Sequence, residues 1–125
     1  MILKIQQDAM DCGPSCLAMI VKYYGKDVSI EQLRKICSLG KDGVSLLGIS
    51  KAAETIGLKT IGGRLSLNTL AHEIPLPCIV HWNQNHFVVV YKIKKHNKEK
   101  YTVYVADPGK GFVTYTKEEF CEHWV

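Results

Sequence analysis

The side chains of this chain that could carry out chemistry near neutral pH are mainly thiols and imidazoles. Cysteine occurs five times, at Cys12, Cys16, Cys37, Cys78 and Cys121. Histidine also occurs five times, at His72, His81, His86, His96 and His123. A deprotonated thiol is a nucleophile, and an imidazole within hydrogen-bond distance can remove its proton. Together the two residue types predict either covalent catalysis by a cysteine or a bound metal ion.

Cys12 is the cysteine best placed to act as a nucleophile. It lies at the start of a helix predicted over residues 11–24, with Pro14 in the first turn, where the missing N–H of proline is tolerated. The unpaired N–H groups and the partial positive charge of a helix N terminus favour a thiolate. Cys16 lies one turn further along, and we interpret it and the other three cysteines as buried structural thiols.

His86 is the candidate base. It follows a turn predicted at residues 83–85 and begins a strand predicted over residues 86–91, which holds the imidazole at the end of a sheet. His81, on the preceding predicted strand, is the alternative base, and its position alone does not exclude it. The other three histidines are predicted to lie at the surface.

Asp107 is the candidate for a third group that orients the imidazole and stabilises its protonated form. It follows a strand predicted over residues 101–105, which should pair with the strand that begins at His86. Such a hairpin brings the start of one strand and the end of the other to the same edge of the sheet. Taken alone, Asp107-Pro108-Gly109 is also typical of an ordinary turn.

A tetrahedral intermediate would need hydrogen-bond donors for its negatively charged oxygen. The backbone N–H of Cys12 is one candidate, and the side-chain amide of Gln6 or Gln7 is the other. A zinc site is the competing interpretation, because Cys12 and Cys16 have a spacing that could hold a metal. No second close pair of ligands follows them, so this spacing disfavours zinc.

Length and charge limit the classes of protein that remain. The 125 residues suit one domain, and the net charge of +4 comes partly from a lysine cluster at residues 92–100 that we interpret as a solvated hairpin tip. The basic residues form no stripe with aromatic residues, which disfavours nucleic acid as a partner.

An odd number of cysteines and no export signal indicate a reducing compartment. No apolar run has the roughly 18 residues of a membrane helix.

The elements that position these residues divide the chain into two halves. Helices are predicted over residues 11–24, 29–37 and 45–56, with Tyr24 and Leu46 included in their buried stripes. Residues 1–5 alternate and predict a short strand or an extended arm, and residues 66–72 predict a short helix or turn. Strands at 78–82, 86–91, 101–105 and 112–115 and a terminal helix from residue 116 complete the chain. Helices followed by an antiparallel meander predict an α+β fold.

Four segments together resemble the double-glycine leader peptidase domain of bacteriocin-processing ABC transporters, which is a papain-like cysteine peptidase. They are the Gln-x5-Cys-Gly pattern within Gln6 to Tyr24, Gly43-Val44-Ser45-Leu46 with Ala52-Ala53-Glu54, Asn85-His86-Phe87-Val88-Val89, and Ala106-Asp107-Pro108 with Gly111, Glu119-Phe120 and Trp124. The resemblance implies a papain-like fold, with an N-terminal helical half packed on a C-terminal antiparallel sheet. It also implies that Gln6 rather than Gln7 contacts the oxyanion, and that His86 rather than His81 is the base.

The resemblance further implies a function and its partners. Residues 1–125 would form a single cysteine peptidase domain, the N-terminal part of a longer ABC exporter at the cytoplasmic face of a bacterial membrane. It would cleave precursor peptides after a Gly-Gly motif and bind their amphipathic leader helix in a groove. The peptidase would need no cofactor, with ATP and Mg²⁺ used only by a separate ATPase domain, and its other partners would be the transmembrane and ATPase domains. The alternative is a domain that binds the leader without cleaving it.

Overall fold

Helices form most of the first half of the chain and strands most of the second. The structure is a computed structural model that describes residues 1–4, 12–37, 45–60, 62–83 and 86–125. The helices are α1 (Cys12–Tyr23), α2 (Ile30–Cys37), α3 (Leu46–Thr55), α4 (Leu67–Glu73) and α5 (Lys117–His123). The strands are β1 (Cys78–Trp82), β2 (His86–Lys95), β3 (Tyr101–Asp107) and β4 (Gly111–Thr116). The expected α+β class is confirmed.

Side-chain oxygens cap four of these helices where the sequence places serine or threonine. At the start of α2, the side chain of Ser29 accepts from the N–H of Gln32, and the side-chain oxygen of Gln32 accepts from the N–H of Ser29. Ser45 accepts a hydrogen bond from the N–H of Gly48 at the start of α3, and Ser66 does the same from Thr69 at the start of α4. Thr116 and Glu119 form a complete capping box at the start of α5. Each cap satisfies backbone donors that a helix leaves unpaired in its first turn.

The four strands form one antiparallel sheet in the order β1-β2-β3-β4. Residues 87–90 of β2 are all buried, because β2 lies inside the sheet with helices packed on both faces. This explains why Phe87-Val88-Val89-Val90 is a continuous apolar run rather than an alternating one. The four residues that follow His86 in this strand are therefore buried in the core.

Two clusters of side chains fix the helices to the two faces of the sheet. Val88, Val90, Val103 and Val105 pack with residues of α4 and with Phe120 of α5. On the other face, Phe87, Val89 and Ala106 pack with residues of α1. A third cluster joins α1 to α2 and α3. Helix α1 is thus held from two sides, and its first residue is Cys12.

Several local expectations are wrong. Helix α1 ends at Tyr23, so Tyr24 lies just past it and is 51% exposed, and Leu46 is 47% exposed because it is the first residue of α3. Of the two alternatives for residues 1–5, residues 1–4 do not form the strand and have no regular secondary structure. Strand β2 continues to Lys95, because its lysine-rich end still pairs with β3 through Lys95 and Tyr101. Cys121 is exposed, and not buried, on α5.

Within the described residues, no helix combines the length and the apolar character needed to cross a bilayer.

Phe120 should contribute strongly to stability, since it is fully buried and its ring packs 5.3 Å from Trp82 and from Trp124. We expect Phe120→Ala to lower the free energy of unfolding by about 3–5 kcal/mol, the usual cost of emptying an aromatic site in a core. Phe112, which is 52% exposed, provides a control of the same residue type. Phe112→Ala should cost about 1 kcal/mol or less in denaturant titrations. Equal losses in the two variants would contradict this description of the core.

Candidate active site

Cys12 is the first residue of α1 and has only 5% of its surface exposed. Pro14, in the same turn, removes one of the backbone donors that the helix start would otherwise leave unpaired. The remaining N–H groups of this turn have no partner within the helix and point toward its N terminus. The thiol of Cys12 therefore lies at the positive end of the helix dipole.

His86 and Asp107 meet at one edge of the sheet. His86 begins β2 and pairs with Trp82, the last residue of β1, whereas Asp107 ends β3. Because β2 and β3 are antiparallel, the start of one lies beside the end of the other. The Nε2 atom of His86 is 2.7 Å from Oδ1 of Asp107, a short distance typical of a charge-assisted hydrogen bond. The register of the sheet thus sets this contact.

A tight turn holds the carboxylate of Asp107 in place. The N–H of Gly109 donates to Oδ1 at 2.8 Å, and the N–H of Lys110 donates to the backbone carbonyl of Asp107 at 3.1 Å. Gly111 pairs with Asp107 across the turn at a φ of +104°, a conformation that favours glycine. The same oxygen accepts hydrogen bonds from His86 and from Gly109, so the carboxylate cannot rotate without losing both.

Asp107 is a buried anion, with only 1% of its surface exposed. Burial by itself raises the pKa of this carboxyl. The hydrogen bonds from His86 and from the Gly109 N–H oppose that effect, as do the charges of His86 and Lys110, and the pKa is held below its usual value. Asp107 is therefore ionised at neutral pH and carries its negative charge toward the imidazole.

The pKa of His86 is raised from 6.5 to about 9, and its hydrogen bond to Asp107 is the largest cause. The hydrogen bond with Cys12 and the charges of Asp107 and Cys12 also raise this pKa, whereas burial lowers it. Since Nε2 contacts Asp107, Nδ1 is the ring nitrogen left for Cys12. Cys12, His86 and Asp107 thus form one hydrogen-bonded row, in which the imidazole is protonated at neutral pH.

Cys16 has a different environment from Cys12, although it lies only one helical turn away. It is fully buried, and its Sγ donates a hydrogen bond to the backbone carbonyl of Phe87 at 3.2 Å. Burial raises the pKa of the Cys16 thiol well above its usual value, and the nearby charges of Cys12 and Asp107 raise it further. Cys16 therefore stays protonated, in agreement with its interpretation as a structural thiol.

The structure brings together three of the four residues proposed from the sequence. The fourth, Gln6, lies outside the described residues, as does its neighbour Gln7. His81, the alternative base, lies on β1, where its ring stacks on Phe87 with centroids 5.1 Å apart. Asp107 forms its hydrogen bond with His86. In the part of the chain that the structure describes, no group of three or more His, Cys, Asp or Glu residues could hold a metal ion.

The part played by Gly109 was not predicted from the sequence. Its N–H donor is as close to Asp107 as the imidazole is, and it fixes the direction of the carboxylate. A signal for this contact was present, because an aspartate commonly accepts a hydrogen bond from the backbone two residues further along in a turn. Asp107-Pro108-Gly109 is thus both a turn and a support for the site.

Comparison with protein families gives one match over almost the whole chain. The model of the peptidase C39 family matches residues 2–125. The lactococcin-G-processing and transport ATP-binding protein LagD of Lactococcus lactis subsp. lactis is 38% identical over 124 residues, which are 95% of this chain and 17% of that protein. The colicin V secretion/processing ATP-binding protein CvaB of Escherichia coli is 34% identical over 119 residues, or 95% of this chain and 16% of that protein. The chain thus spans about a sixth of the length of these relatives.

Two solved structures share the fold closely. One is a double glycine motif protease from an AMS/PCAT transporter in complex with the leader peptide, with a TM-score of 0.86 and 39% identity. The alignment covers 99% of this chain and 85% of that one. The other is the peptidase domain of Streptococcus ComA, a bifunctional ABC transporter of a quorum-sensing pathway, with a TM-score of 0.85 and 31% identity. That alignment covers 98% of this chain and 91% of the other.

The contact between Asp107 and His86 predicts how the imidazole titrates. We expect Asp107→Ala to lower the pKa of His86 from about 9 toward 6.5, because the hydrogen bond and the negative charge that stabilise the imidazolium are both removed. NMR titration of the His86 ring protons measures this change. Asp27→Ala, which removes an exposed carboxylate, serves as the control and should leave the midpoint unchanged. A midpoint that stays near 9 in Asp107→Ala would contradict the assignment of the shift to this contact.

Proposed function

This chain belongs to the peptidase C39 family and is a cysteine peptidase, and from that premise we propose that it cleaves bacteriocin-type precursor peptides after a double-glycine motif. The observation that carries the proposal is the row formed by Cys12, His86 and Asp107 at the start of α1. A thiol at the positive end of a helix and beside a protonated imidazole can act as a nucleophile. The fold that surrounds the row is similar to that of a double glycine motif protease bound to a leader peptide.

In the proposed mechanism, the thiolate of Cys12 attacks the carbonyl carbon of the peptide bond after the second glycine. The bond from sulfur to carbon forms, and the carbonyl electrons move to the oxygen. The imidazolium of His86 then gives its proton to the departing amine as the carbon–nitrogen bond breaks. Water attacks the resulting thioester, with His86 now accepting one of its protons, and the carbon–sulfur bond breaks. The leader leaves as a carboxylic acid, which loses its proton to the solvent. This hydrolysis restores the thiolate and the imidazolium.

Asp107 and Gln6 would act around this exchange. Asp107 would hold the His86 ring with Nδ1 toward the sulfur and stabilise the imidazolium, since it is ionised and accepts from Nε2. The side-chain amide of Gln6 and the backbone N–H of Cys12 would donate hydrogen bonds to the oxyanion. Gln6 is six positions before Cys12, as in the Gln-x5-Cys motif that the sequence resembles. This supports Gln6 over Gln7 as the donor.

We propose that cleavage needs no cofactor. The thiolate supplies the nucleophile and the imidazolium supplies the proton, so each step of the mechanism balances with protein side chains and water alone. ATP and Mg²⁺ would serve an ATPase domain in the same transporter and would not enter the hydrolytic step. The relatives named above are called processing ATP-binding proteins of transport or secretion, which supports this division of labour.

The partners of the domain follow from the same family context. We propose that residues 1–125 form a single peptidase domain that acts with the transmembrane and ATPase domains of one exporter, at the cytoplasmic face of a bacterial membrane. Its substrate would be a precursor whose amphipathic leader helix docks in an apolar groove before the Gly-Gly site enters the cleft. The leader peptide bound to a structural relative supports the binding of a leader by this fold.

Cleavage of a synthetic precursor tests the proposal directly. We expect the parent chain to cut a double-glycine leader peptide after the second glycine, as identified by mass spectrometry, and to leave a matched Leu-Leu peptide intact. Cys12→Ala should abolish cleavage, because the nucleophile is removed, whereas Cys121→Ala, which removes an exposed thiol, should retain it. Cleavage that survives Cys12→Ala would exclude Cys12 as the nucleophile. Binding of the peptide without cleavage by the parent would favour the alternative of a silent leader-binding domain.

Two matched pairs of variants distinguish the proposed roles from those of neighbouring residues. His86→Ala should lower kcat by about 10²–10⁴-fold, the usual contribution of a general acid–base residue, and His81→Ala should lower it far less. Gln6→Ala should lower kcat by about 10²–10³-fold, the usual effect of losing one oxyanion donor, with little effect from Gln7→Ala. An active His86→Ala variant, or equal losses for the two glutamines, would contradict these roles.

A further inference from the structure

Besides the contact of Cys12 with His86, a second side-chain hydrogen bond joins the helix of the nucleophile to the strand of the base. Its donor is Cys16 on α1, one turn after Cys12, and its acceptor is the backbone carbonyl of Phe87, the residue after His86. The two residues are 71 positions apart in sequence, and both are buried. Cys16 lies in the same helix as Cys12, and Phe87 lies in the same strand as His86, so this bond is close to the row along both elements.

We propose that Cys16 is a positioning residue, whose thiol holds α1 against β2 at the separation that the contact between Cys12 and His86 requires. The inference rests on the proposed function, because it assigns Cys16 a role in that reaction. Apolar packing presses α1 onto the sheet through Met19, Ile20 and Val89, but such packing has no preferred direction. A hydrogen bond has a required distance and angle, so it can fix how far the helix slides along the strand.

The chemistry of the thiol suits this role. Two groups near Cys16 disfavour its ionisation, namely Cys12 on its own helix and Asp107 at the end of β3. Burial and these two groups raise the pKa of Cys16, which therefore remains a neutral donor over the pH range in which His86 is protonated. A second thiolate beside Cys12 would repel the first and would compete with it for the imidazolium.

Three substitutions separate the effect of the Cys16 hydrogen-bond donor from the effect of its side-chain volume. Cys16→Ala removes the donor and some volume, Cys16→Val fills the space without a donor, and Cys16→Ser keeps a donor on a shorter side chain. Cys37→Ala is the matched control, because Cys37 is also a buried thiol but packs in the cluster of α1, α2 and α3, away from the site. Each variant is first compared with the parent by denaturant titration.

The first readout is the NMR titration of His86, which needs no peptide substrate. We expect its midpoint to fall below about 9 in Cys16→Ala and in Cys16→Val, because a displaced α1 weakens the hydrogen bond with Cys12 that helps raise this pKa. Cys16→Ser should give an intermediate midpoint, and Cys37→Ala the parental one. None of the four variants substitutes His86 or Asp107. A change in the His86 midpoint therefore indicates a change in the contact between the imidazole and Cys12.

The second readout is the cleavage of the double-glycine peptide. We expect kcat to fall roughly 2- to 10-fold in Cys16→Ala and Cys16→Val, as for the loss of one hydrogen bond, with KM unchanged and partial recovery in Cys16→Ser. A His86 midpoint and a kcat that match those of Cys37→Ala would overturn the proposal, as would failure of all three Cys16 variants to fold. A parent chain that cleaves nothing would instead contradict the proposed function, and the titration would still test Cys16.

Discussion

The packing of α1 across β2 is the constraint on which the rest of the site depends. Cys12 begins the first helix and His86 begins the second strand, so only long-range packing can bring the sulfur to the imidazole. Residues of α1 bury one face of the sheet, while α4 and α5 bury the other. A strand covered on both faces cannot tilt without opening a cavity, and interiors packed at crystal density resist such changes. The site is therefore as rigid as the core beneath it.

A buried carboxylate adds a second constraint at the other side of the imidazole. An isolated ionised carboxylate is very unfavourable in a protein interior, and it is tolerated when it is paired and hydrogen-bonded. Asp107 meets both conditions with one oxygen, which accepts from His86 and from Gly109. The turn fixes the carboxylate, the carboxylate fixes Nε2, and a planar ring then fixes the direction of Nδ1. The backbone of the turn after β3 thus determines the orientation of the imidazole.

How much of this could be predicted depends on whether each contact follows from chain topology or from the docking of separate elements. The meeting of His86 with Asp107 followed from one hairpin, because antiparallel register is set by strand order. The hydrogen bond of Gly109 could have been inferred from turn chemistry. The hydrogen bond from Cys16 to Phe87 could not, since it depends on where α1 rests on the sheet. The extension of β2 to Lys95 was hidden because lysine has a low strand propensity, and pairing with β3 overrides it.

The order of the three residues along the chain has a consequence for biosynthesis. Domains emerge from the ribosome N terminus first, so the thiol of Cys12 appears early and Asp107 appears only after three strands have been made. Contacts between distant residues also form slowly, because the chain between them must be ordered first. A partly synthesised chain consequently contains a cysteine but lacks the oriented imidazole beside it. The fold thereby makes the assembly of the active site depend on a sheet that is nearly complete.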